Sequence, residues 1–490
     1  MKKPRPQTPS NRLGSYSDSF KDFITRGWAP YPSDPRPPLV AHEHARRRCQ
    51  ELSAQFPHDR LIIPAGGYKV RSNDCDYRYR AHSGFAYLSG LGNETEPDSV
   101  LVIEDGTPTL FFHGRVERSD PEFYSSSQYG EMWVGSRPSI EDMVSYTQMV
   151  VKDSSQLSPA IASPLQHSDG QRRILPGVDS RLDALVGAMA SHCREADREL
   201  NQYLSEMRLI KDAYEVGEME KACAATLVGF EAVIAELPKA VAHGRGERWV
   251  EGVFGLHARH LGNAVGYDTI VASGDHANTL HWINNDGDLH DGDLLLMDAG
   301  VEVNSLYTAD VTRTLPVSGV FSPAQRQVYN AVLEAQQAGM DAARPGAKFL
   351  DVHRAAVRVL AEYLHDWGIL DVSVEETLKK SGGEYKRWMV HGTSHHLGID
   401  VHDCAQARRK LYRGGKLREG MIITVEPGLY FKSTDLMVPE ELRGIGVRIE
   451  DDILITKDGY RNLSEAFPRN PGDVEAWIDR IQHPSRNNSA

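Results

Sequence analysis

The distribution of apolar and polar residues predicts alternating helices and strands in the first half of the 490-residue chain. Residues 41–56 follow a helical period, while SVLVIEDG and TPTLFFHGR predict two strands joined by a glycine-containing turn. Residues 76–91, DYRYRAHSGFAYLSGL, alternate aromatic and polar positions, which is typical of strands. With helices predicted over 141–150 and 182–204, the pattern indicates an α/β domain over residues 41–204.

The pattern changes near Ser205, where a long amphipathic helical region begins. Helices are predicted over 248–261, 323–342 and 349–367, and they alternate with apolar strands such as 268–272 and 293–298. This alternation favours a sheet backed by helices in a second domain, residues 205–467. The Pro- and Ser-rich residues 1–40 predict an arm or disordered leader in which Trp28 and Tyr31 can dock on the domain, and residues 468–490 predict a loose tail.

Two aspartates interrupt the strand-like stretch LLLMDAGVEVNSLYTADVTR. Asp298 follows four apolar residues, and Asp310 opens a run with the character of a strand. A carboxylate in a half-buried strand is unfavourable unless a positive charge lies beside it. Because two such carboxylates repel each other, we expect a metal ion rather than a lysine as their partner. A solvated hairpin with surface acids is the alternative, which the apolar flank of Asp298 disfavours.

Further candidate ligands occur far downstream of the two aspartates. His391, His395 and His402 lie in VHGTSHHLGIDVHD, Glu426 ends the apolar run of MIITVEPG, and Glu450 lies in GVRIEDDILIT. Two Asp, one His and two Glu in strand or turn segments are what a two-metal hydrolytic site needs. Four carboxylates would balance two divalent cations. Oxygen-rich ligation favours Mn²⁺ over a thiolate-type zinc site, with Zn²⁺ and Co²⁺ as alternatives.

The motifs DAG…DxTR, HGxSHxLGxDVHD, TVEPG and GxRIEDD, in this order, resemble the pita-bread metallopeptidases, and within them the aminopeptidase P family. The resemblance implies a smaller N-terminal α/β domain and a catalytic domain with a curved, mostly antiparallel sheet backed by helices. It implies that Asp310 and Glu450 bridge two ions. The aspartates are twelve positions apart, one more than expected, which a turn or bulge can absorb. The implied metal ligands are Asp298, Asp310, His395, Glu426 and Glu450.

The same resemblance implies which residues act on the substrate. Glu426 would be the general acid/base, taking a proton from a water between the ions and passing it to the leaving nitrogen. His391 and His402 would line the substrate site and hydrogen-bond the developing oxyanion. His281, in YDTIVASGDHANTLHW, would be a further substrate-site histidine.

Four other residues have both a functional and a structural interpretation. Arg448 faces the same side of a strand as Glu450, so it either orients a ligand carboxylate, which we favour, or forms a surface ion pair. Tyr267 either touches the ligands or substrate, or packs in the core. Arg413 either lies near the far end of the substrate or belongs to a solvated basic loop. Trp133 either forms a lip over a neighbouring subunit's site or is a core tryptophan, which we favour.

The expected activity is hydrolysis of the bond between an N-terminal residue and a following proline, with hydroxide between two ions as nucleophile. A prolidase-type dipeptidase shares all five ligands, but Ser394 before His395 resembles aminopeptidase P more than the HGxGH of prolidases. A methionine aminopeptidase is disfavoured by the long N-terminal domain. A non-catalytic pita-bread module that binds peptides or proteins is the alternative from another class; such relatives, like creatinase-type enzymes, lack ligands that this chain keeps.

Charge and composition limit the location and the partners. The net charge of −13 argues against nucleic acid or an anionic membrane as partner, and no apolar run approaches the ~20 residues of a membrane span. The basic N-terminus lacks the apolar segment of a secretory signal, and five scattered cysteines without CxxC spacing indicate a reducing compartment. We therefore expect a cytoplasmic protein and disfavour Cys404 as a nucleophile. The family resemblance implies a homo-oligomer, dimer or tetramer, that acts on small peptides with proline second.

Overall fold

The structure, a computed structural model, describes residues 16–32, 36–73 and 75–484. Its chain divides into two compact units between Leu204 and Ser205, which we call the N-terminal unit and the C-terminal unit. The arm predicted over residues 1–40 lies partly outside the described residues, as do the last six residues of the predicted tail. Among the helices of the described ranges, none is both long and apolar enough to cross a membrane.

The N-terminal unit alternates short helices with short strands. In chain order its elements are α1 (Asp18–Ile24), α2 (His42–Gln55), β1 (Arg60–Pro64), β2 (Val70–Ser72), β3 (Cys75–Asp76), α3 (Ser83–Ser89), β4 (Val100–Glu104), β5 (Thr107–Phe112), α4 (Glu122–Ser125), α5 (Glu131–Val134), α6 (Ile140–Thr147), β6 (Val150–Asp153), α7 (Leu157–Ala162), β7 (Arg172–Ile174), α8 (Ser180–Gly187) and α9 (Arg194–Met207).

A five-stranded mixed sheet in the order β6-β5-β4-β1-β7 forms the centre of the N-terminal unit. Its central strands β1 and β4 are mostly apolar and bury side chains on both faces, as β1 does at all of its positions. The predicted hairpin is confirmed, because β4 and β5 pair antiparallel from Glu104 opposite Thr107. Its two turn residues, Asp105 and Gly106, have φ of 47° and 74°, the conformation in which Asp-Gly joins two strands most readily.

Two element predictions in this unit are wrong. Residues 83–89 form helix α3 instead of a strand, and every residue of this helix is buried. An element that is buried all round shows neither a two-residue nor a helical period, so alternation in its sequence does not reveal its type. The single helix predicted over 182–204 is interrupted, since α8 ends at Gly187 and α9 begins at Arg194.

The aromatic residues near the N-terminus contact the N-terminal unit. The Tyr31 hydroxyl donates to the Glu131 carboxylate at 2.6 Å, and the Trp28 ring meets Phe123 edge-on with centroids 5.4 Å apart. Trp28 and Tyr31 therefore dock on the domain, as the sequence allowed. The core position favoured for Trp133 is wrong, because this residue is 52% exposed.

The C-terminal unit begins with two long helices and then alternates strands with helices. In chain order its elements are α10 (Ala213–His243), α11 (Gly246–Leu261), β8 (Ala264–Val265), β9 (Ile270–Ser273), β10 (Leu294–Ala299), β11 (Val301–Glu302), β12 (Val311–Pro316), α12 (Pro323–Ala342), α13 (Phe349–Asp366), α14 (Val374–Thr377), β13 (Ile422–Val425), β14 (Gly428–Tyr430), β15 (Gly446–Arg448), β16 (Asp451–Ile455), β17 (Tyr460–Asn462) and α15 (Pro471–Gln482).

The strands of the C-terminal unit pair antiparallel throughout the described ranges. They form the sets β12-β10-β9, β13-β16-β17, β11-β8 and β14-β15. The apolar faces of α10, α11, α12 and α13 share one buried core with β9, β10 and β12. The predictions of helices over 323–342 and 349–367 are confirmed to within one residue.

The loose tail predicted after residue 467 is wrong for its described part, where Pro471 begins helix α15. Its apolar residues recur at helical spacing, and Val474, Trp477 and Ile478 are buried against the core. The Trp477 indole also donates to the Glu231 carboxylate of α10 at 3.2 Å. The PRNPGD motif predicts a loop, but the helical spacing of the apolar residues that follow it predicts helix α15 correctly.

Candidate active site

Two buried aspartates end up side by side because β10 and β12 pair antiparallel. Asp298 lies opposite Thr312 in this ladder, and Asp310 immediately precedes β12. Between them the chain turns back so closely that a Cβ on Gly300 would lie 1.7 Å from the Ala309 carbonyl oxygen, which requires glycine there. The Tyr267 hydroxyl contacts both carboxylates, at 2.7 Å from Asp298 Oδ1.

Two buried glutamates reach the same place from the ends of other strands. Glu426 follows β13, and Glu450 lies between β15 and β16. The Glu450 amide donates to the Thr312 carbonyl at 3.1 Å, and the Thr312 hydroxyl donates to Glu450 Oε2 at 2.7 Å. These bonds fix Glu450 against the strand that follows Asp310.

His395 lies beside β13 and is oriented by the backbone. Its amide donates to the Thr424 hydroxyl at 3.2 Å, and its carbonyl accepts from the Thr424 amide at 3.0 Å. The ring Nδ1 lies 3.2 Å from the His396 carbonyl oxygen, while Nε2 lies 3.2 Å from Asp310 Oδ2 and 3.8 Å from Glu426 Oε1. The carbonyl oxygen can only accept a hydrogen bond, so it favours the proton on Nδ1. Nε2 is then the nitrogen that faces the carboxylates.

The carboxylates and histidines line one cavity of about 570 Å³ in the C-terminal unit. It contains every side chain that the sequence singled out for the site. Apolar residues, among them Ile270, Leu280 and Ile283, form much of the rest of its wall, which also includes Asp268 and Ser394. The eleven predicted residues in the wall are Tyr267, His281, Asp298, Asp310, His391, His395, His402, Arg413, Glu426, Arg448 and Glu450.

Arg448 joins the carboxylates to the histidine side of the cavity. Its guanidinium donates to Asp298 Oδ2 at 2.7 Å and to the Tyr430 hydroxyl at 3.1 Å. The Tyr430 oxygen in turn lies 2.7 Å from His391 Nε2. Arg448 is therefore a buried partner of a carboxylate and not a surface ion pair. Sequence reasoning missed Tyr430. This residue is separated from Glu426 and Gly428 by an even number of positions, so all three would face the same side of an extended strand.

Mutual repulsion and burial shift the carboxyl groups away from their ordinary pKa values. Burial, with neighbouring carboxylates, raises the pKa of Glu426 to about 8 and raises those of Asp298 and Glu450. Asp310 behaves differently: burial acts upward, but the hydrogen bond and charge of His395 lower its pKa. The cavity thus concentrates more negative charge than its own side chains neutralise.

The histidines of the cavity differ in their electrostatics. Burial and the charge of Arg448 lower the pKa of His391 to about 3, so its imidazole is neutral at physiological pH. The pKa of His402 is lowered by partial burial and by His395. Burial acts downward on His395 as well, but Asp310 and Glu426 outweigh it and raise its pKa to about 9.

This donor set suits divalent cations. Asp310, His395 and Glu450 each offer one donor atom within 4.8 Å of the other two. Four carboxylates and one imidazole supply mainly hard oxygen ligands, and the positive charge of bound ions would offset the repulsion that raises the carboxyl pKa values. The residues therefore fit a divalent metal centre.

A buried ion cluster holds the loop that carries His395 and His402. Asp403, which directly follows His402, accepts hydrogen bonds from the Arg208 guanidinium and, at 2.9 Å, from Lys211 Nζ. Its amide donates to the His396 carbonyl at 2.9 Å. The MRLIKD segment before α10 therefore positions the histidine loop, a role that sequence reasoning missed because the partners are about 190 residues apart.

Two nearby residues are structural. The His396 ring is buried, packs between Phe349 and Tyr412, and finds no hydrogen-bond partner at either nitrogen among the residues that the structure describes. Cys404 is buried, and burial raises the pKa of its thiol, which opposes the thiolate that a nucleophile needs.

Comparison with known proteins agrees with this geometry. Residues 217–457 match the model of metallopeptidase family M24, and residues 44–172 match the aminopeptidase P N-terminal domain. Xaa-Pro aminopeptidase 1 of Streptomyces coelicolor is 48% identical over 95% of this chain and 93% of its own length. Xaa-Pro aminopeptidase of Escherichia coli is 32% identical over 90% of this chain and 98% of its own.

Solved structures show the same fold. Aminopeptidase P from Escherichia coli with the inhibitor Pro-Leu aligns with a TM-score of 0.76 at 30% identity, covering 90% of this chain and 99% of that one. A Pseudomonas aeruginosa aminopeptidase aligns with a TM-score of 0.77, also at 30% identity and with the same coverage. The chain therefore belongs to metallopeptidase family M24 and, within it, to the aminopeptidase P family of metal-dependent aminopeptidases.

Proposed function

We propose that this chain removes an N-terminal residue that precedes proline in small peptides, using two divalent ions, with Mn²⁺ as the preferred ion. Glu426 would serve both as ligand and as general acid/base, and Asp310 and Glu450 would each hold both ions. The homo-oligomeric state, dimer or tetramer, stays a prediction, as does the lip formed by Trp133. The proposed ligands are Asp298, Asp310, His395, Glu426 and Glu450.

The observation that carries this proposal is the convergence of five ligand-type side chains from segments up to 152 residues apart, Asp298 to Glu450, in one cavity. A structural ion-pair network needs similar numbers of positive and negative groups. Here five carboxyl groups, the four proposed ligands and Asp268, line the cavity with three basic groups, Arg413, Arg448 and His395, while the lowered pKa of His391 keeps it uncharged. Such a surplus of buried negative charge supports cation binding.

The protein's own groups then perform the proton transfers and hold the substrate. Two bound divalent ions would lower the pKa of a shared water and polarise the scissile carbonyl. Glu426, whose carboxylate lines the cavity 3.8 Å from His395 Nε2, suits the transfer of a proton from that water to the proline nitrogen. Neutral His402 has one N–H to donate to the oxyanion or to the carbonyl on the proline side, and His391, whose Nδ1–H faces the Gly392 carbonyl at 2.9 Å in this structure, would turn that donor to the substrate.

Selection of proline is supported by the apolar part of the cavity. Ile270, Leu280, Ile283 and Val401 line it together with the polar groups. A pyrrolidine ring presents apolar CH₂ groups and, in a peptide bond, no N–H, so an apolar wall accommodates it without leaving a donor unpaired. His281 and Arg413, at the same wall, are proposed to contact the substrate.

A substrate panel tests the proposal. The chelated and Mn²⁺-reloaded protein is given an Xaa-Pro-Xaa tripeptide, the Xaa-Pro dipeptide and a tripeptide with Ala in place of Pro. We expect Mn²⁺-dependent release of the first residue from the Xaa-Pro tripeptide and much slower cleavage of the other two. Preference for the dipeptide would instead indicate a prolidase, and no cleavage with any ion would indicate a peptide-binding module.

A pair of variants links the activity to the site. Asp310→Ala removes a proposed bridging ligand and is expected to abolish cleavage and to lower the bound-metal content. Glu441→Gln changes an exposed glutamate of the same unit and is expected to leave both unchanged. Full Xaa-Pro cleavage by Asp310→Ala would refute the proposed metal centre.

A further inference from the structure

A second group of metal-ligand side chains lies in the N-terminal unit. His58 belongs to the connection between α2 and β1, and His167 and Asp169 belong to the segment that leads into β7. The two imidazole rings stack with centroids 4.0 Å apart and planes at 17°. His58 Nδ1 lies 3.1 Å from Asp169 Oδ2, and one donor atom from each of the three residues lies within 4.8 Å of the other two.

The backbone holds these two segments together independently of the three side chains. β1 pairs in parallel with β7, and the Arg60 amide donates to the Gln171 carbonyl at 2.9 Å. The Gln171 amide donates to Asp59 Oδ1 at 2.7 Å. A Cβ on Gly170 would lie 2.1 Å from the His58 carbonyl oxygen, and His58 itself has φ of 71°, so the approach is close and its backbone is constrained.

The three donor atoms lie within 4.8 Å of one another, but a bound tetrahedral ion would bring them closer and would turn the two imidazole rings out of their stack. Zn–N and Zn–O bonds of about 2.0–2.2 Å place neighbouring ligand atoms roughly 3.3 Å apart. The side chains of His58 and Asp169 are largely exposed, so their rotamers can close the remaining gap without moving the buried framework. Asp105 Oδ1 lies 3.7 Å from His167 Nε2 and adds a carboxylate next to the group.

We propose that His58, His167 and Asp169 form an auxiliary metal site that binds Zn²⁺ or a similar borderline ion. Two imidazoles and one carboxylate favour such ions, whereas the four carboxylates and one imidazole of the catalytic cavity favour harder Mn²⁺. The two sites therefore select different metals. An ion bound here cross-links the α2–β1 connection to the segment before β7 and stabilises the N-terminal unit.

Zinc stoichiometry of the full chain tests this site. Wild type, His58→Ala, His167→Ala and His290→Ala are dialysed against Zn²⁺ in the presence of excess Mn²⁺, and bound zinc is measured by elemental analysis. His290 is a matched control, because it is an exposed histidine 3.2 Å from an aspartate in the C-terminal unit, with a single carboxylate partner. We expect His58→Ala and His167→Ala to bind one zinc per chain less than wild type and His290→Ala.

Two further variants test whether this site is separate from the catalytic one and whether Asp169 contributes to zinc binding. Asp310→Ala lacks a proposed catalytic ligand and is expected to keep the additional zinc, which separates this site from the catalytic one. Asp169→Asn changes a fully exposed side chain and cannot act through misfolding, and we expect it to weaken zinc binding about tenfold or more, as ligand-shell changes do. Equal zinc content and affinity in all of these proteins would overturn the proposal, whatever the outcome for peptide cleavage.

Discussion

Glu426 combines two properties of a proton-transferring carboxylate: it is buried among other acids, and it lies at the end of a strand that fixes its position. Without bound ions, burial raises its pKa to about 8, and bound cations would lower it again, toward the ionised form that can accept a proton from water. Its neighbours Asp310 and Glu450 have pKa values shifted in opposite directions, because only Asp310 meets His395 Nε2 directly. Similar carboxyl groups thus differ in pKa because their contacts differ.

Replacing Glu426 by glutamine is expected to remove the proton transfer while keeping the side chain's shape. We expect kcat for Xaa-Pro-Xaa hydrolysis to fall by about 10²–10⁴-fold. The melting temperature in the presence of a chelator should not fall, because the amide removes one of four mutually repelling carboxylates. Steady-state kinetics and thermal scans measure the two effects. Turnover equal to that of wild type would contradict the role of Glu426.

The histidine loop between His395 and Asp403 is positioned by charges buried beneath it. Burial alone would raise the pKa of Asp403, but Arg208 and Lys211 outweigh it and hold that pKa well below its usual range. Asp403 therefore stabilises the fold when it is ionised. This stabilisation is present above the ordinary aspartate pKa of about 3.9 and is lost as the pH falls toward the depressed value.

Replacing Asp403 by asparagine is expected to destabilise the C-terminal unit by about 3–5 kcal/mol at neutral pH, since it leaves buried Lys211 without its carboxylate and Arg208 with only the partly exposed Asp400. The difference from wild type should narrow as the pH falls below about 4. Denaturant unfolding at several pH values measures it. Asp400→Asn is the matched control, because Asp400 also binds Arg208 but its side chain is 38% exposed, so its loss should be smaller. A difference from wild type that does not change with pH would contradict the linkage.

Helix α15 adds a covering layer to the core of the C-terminal unit. Trp477 is 1% exposed, and the face that carries it contacts α10. We expect Trp477→Ala to lower the free energy of unfolding by about 3–5 kcal/mol, because it removes a large buried side chain and leaves a cavity. Arg480→Ala, on the exposed face of the same helix, should change it by less than about 0.5 kcal/mol. Equal effects of the two substitutions in denaturant unfolding would show that α15 is a loose tail after all.

On the scale of the whole molecule, repulsion between carboxylates destabilises the catalytic cavity. Asp298, Glu426 and Glu450 all have raised pKa values at one place, and antiparallel strands from both halves of the C-terminal unit hold them there. A ligand that binds the folded chain and neutralises this charge stabilises it by mass action. Metal binding and folding of this unit are therefore coupled.

Added Mn²⁺ is accordingly expected to raise the melting temperature of the chelated protein. At about 100 times the dissociation constant, binding contributes about 2.7 kcal/mol. Asp310→Ala should show little response to Mn²⁺, and its melting temperature in chelator should fall below that of wild type, because the ionised Asp310 is stabilised by His395 in the folded chain. Differential scanning calorimetry with and without Mn²⁺ gives both values. The same Mn²⁺ response in Asp310→Ala and in wild type would rule out this coupling.

Local sequence was enough to predict the long helices, the Asp105–Gly106 hairpin and the acidic and histidine motifs of the cavity, because apolar period, turn chemistry and a charge inside a strand are local signals. It did not reveal α3, which is buried on every side, or Tyr430 and the Arg208–Asp403 pair, whose roles depend on distant contacts. The convergence of Asp298 with Glu450 was predicted through the family resemblance and not from local pattern, and that of His58 with His167 required the tertiary structure. Strand pairing determines which distant segments become neighbours, and the local pattern of residues does not encode that pairing.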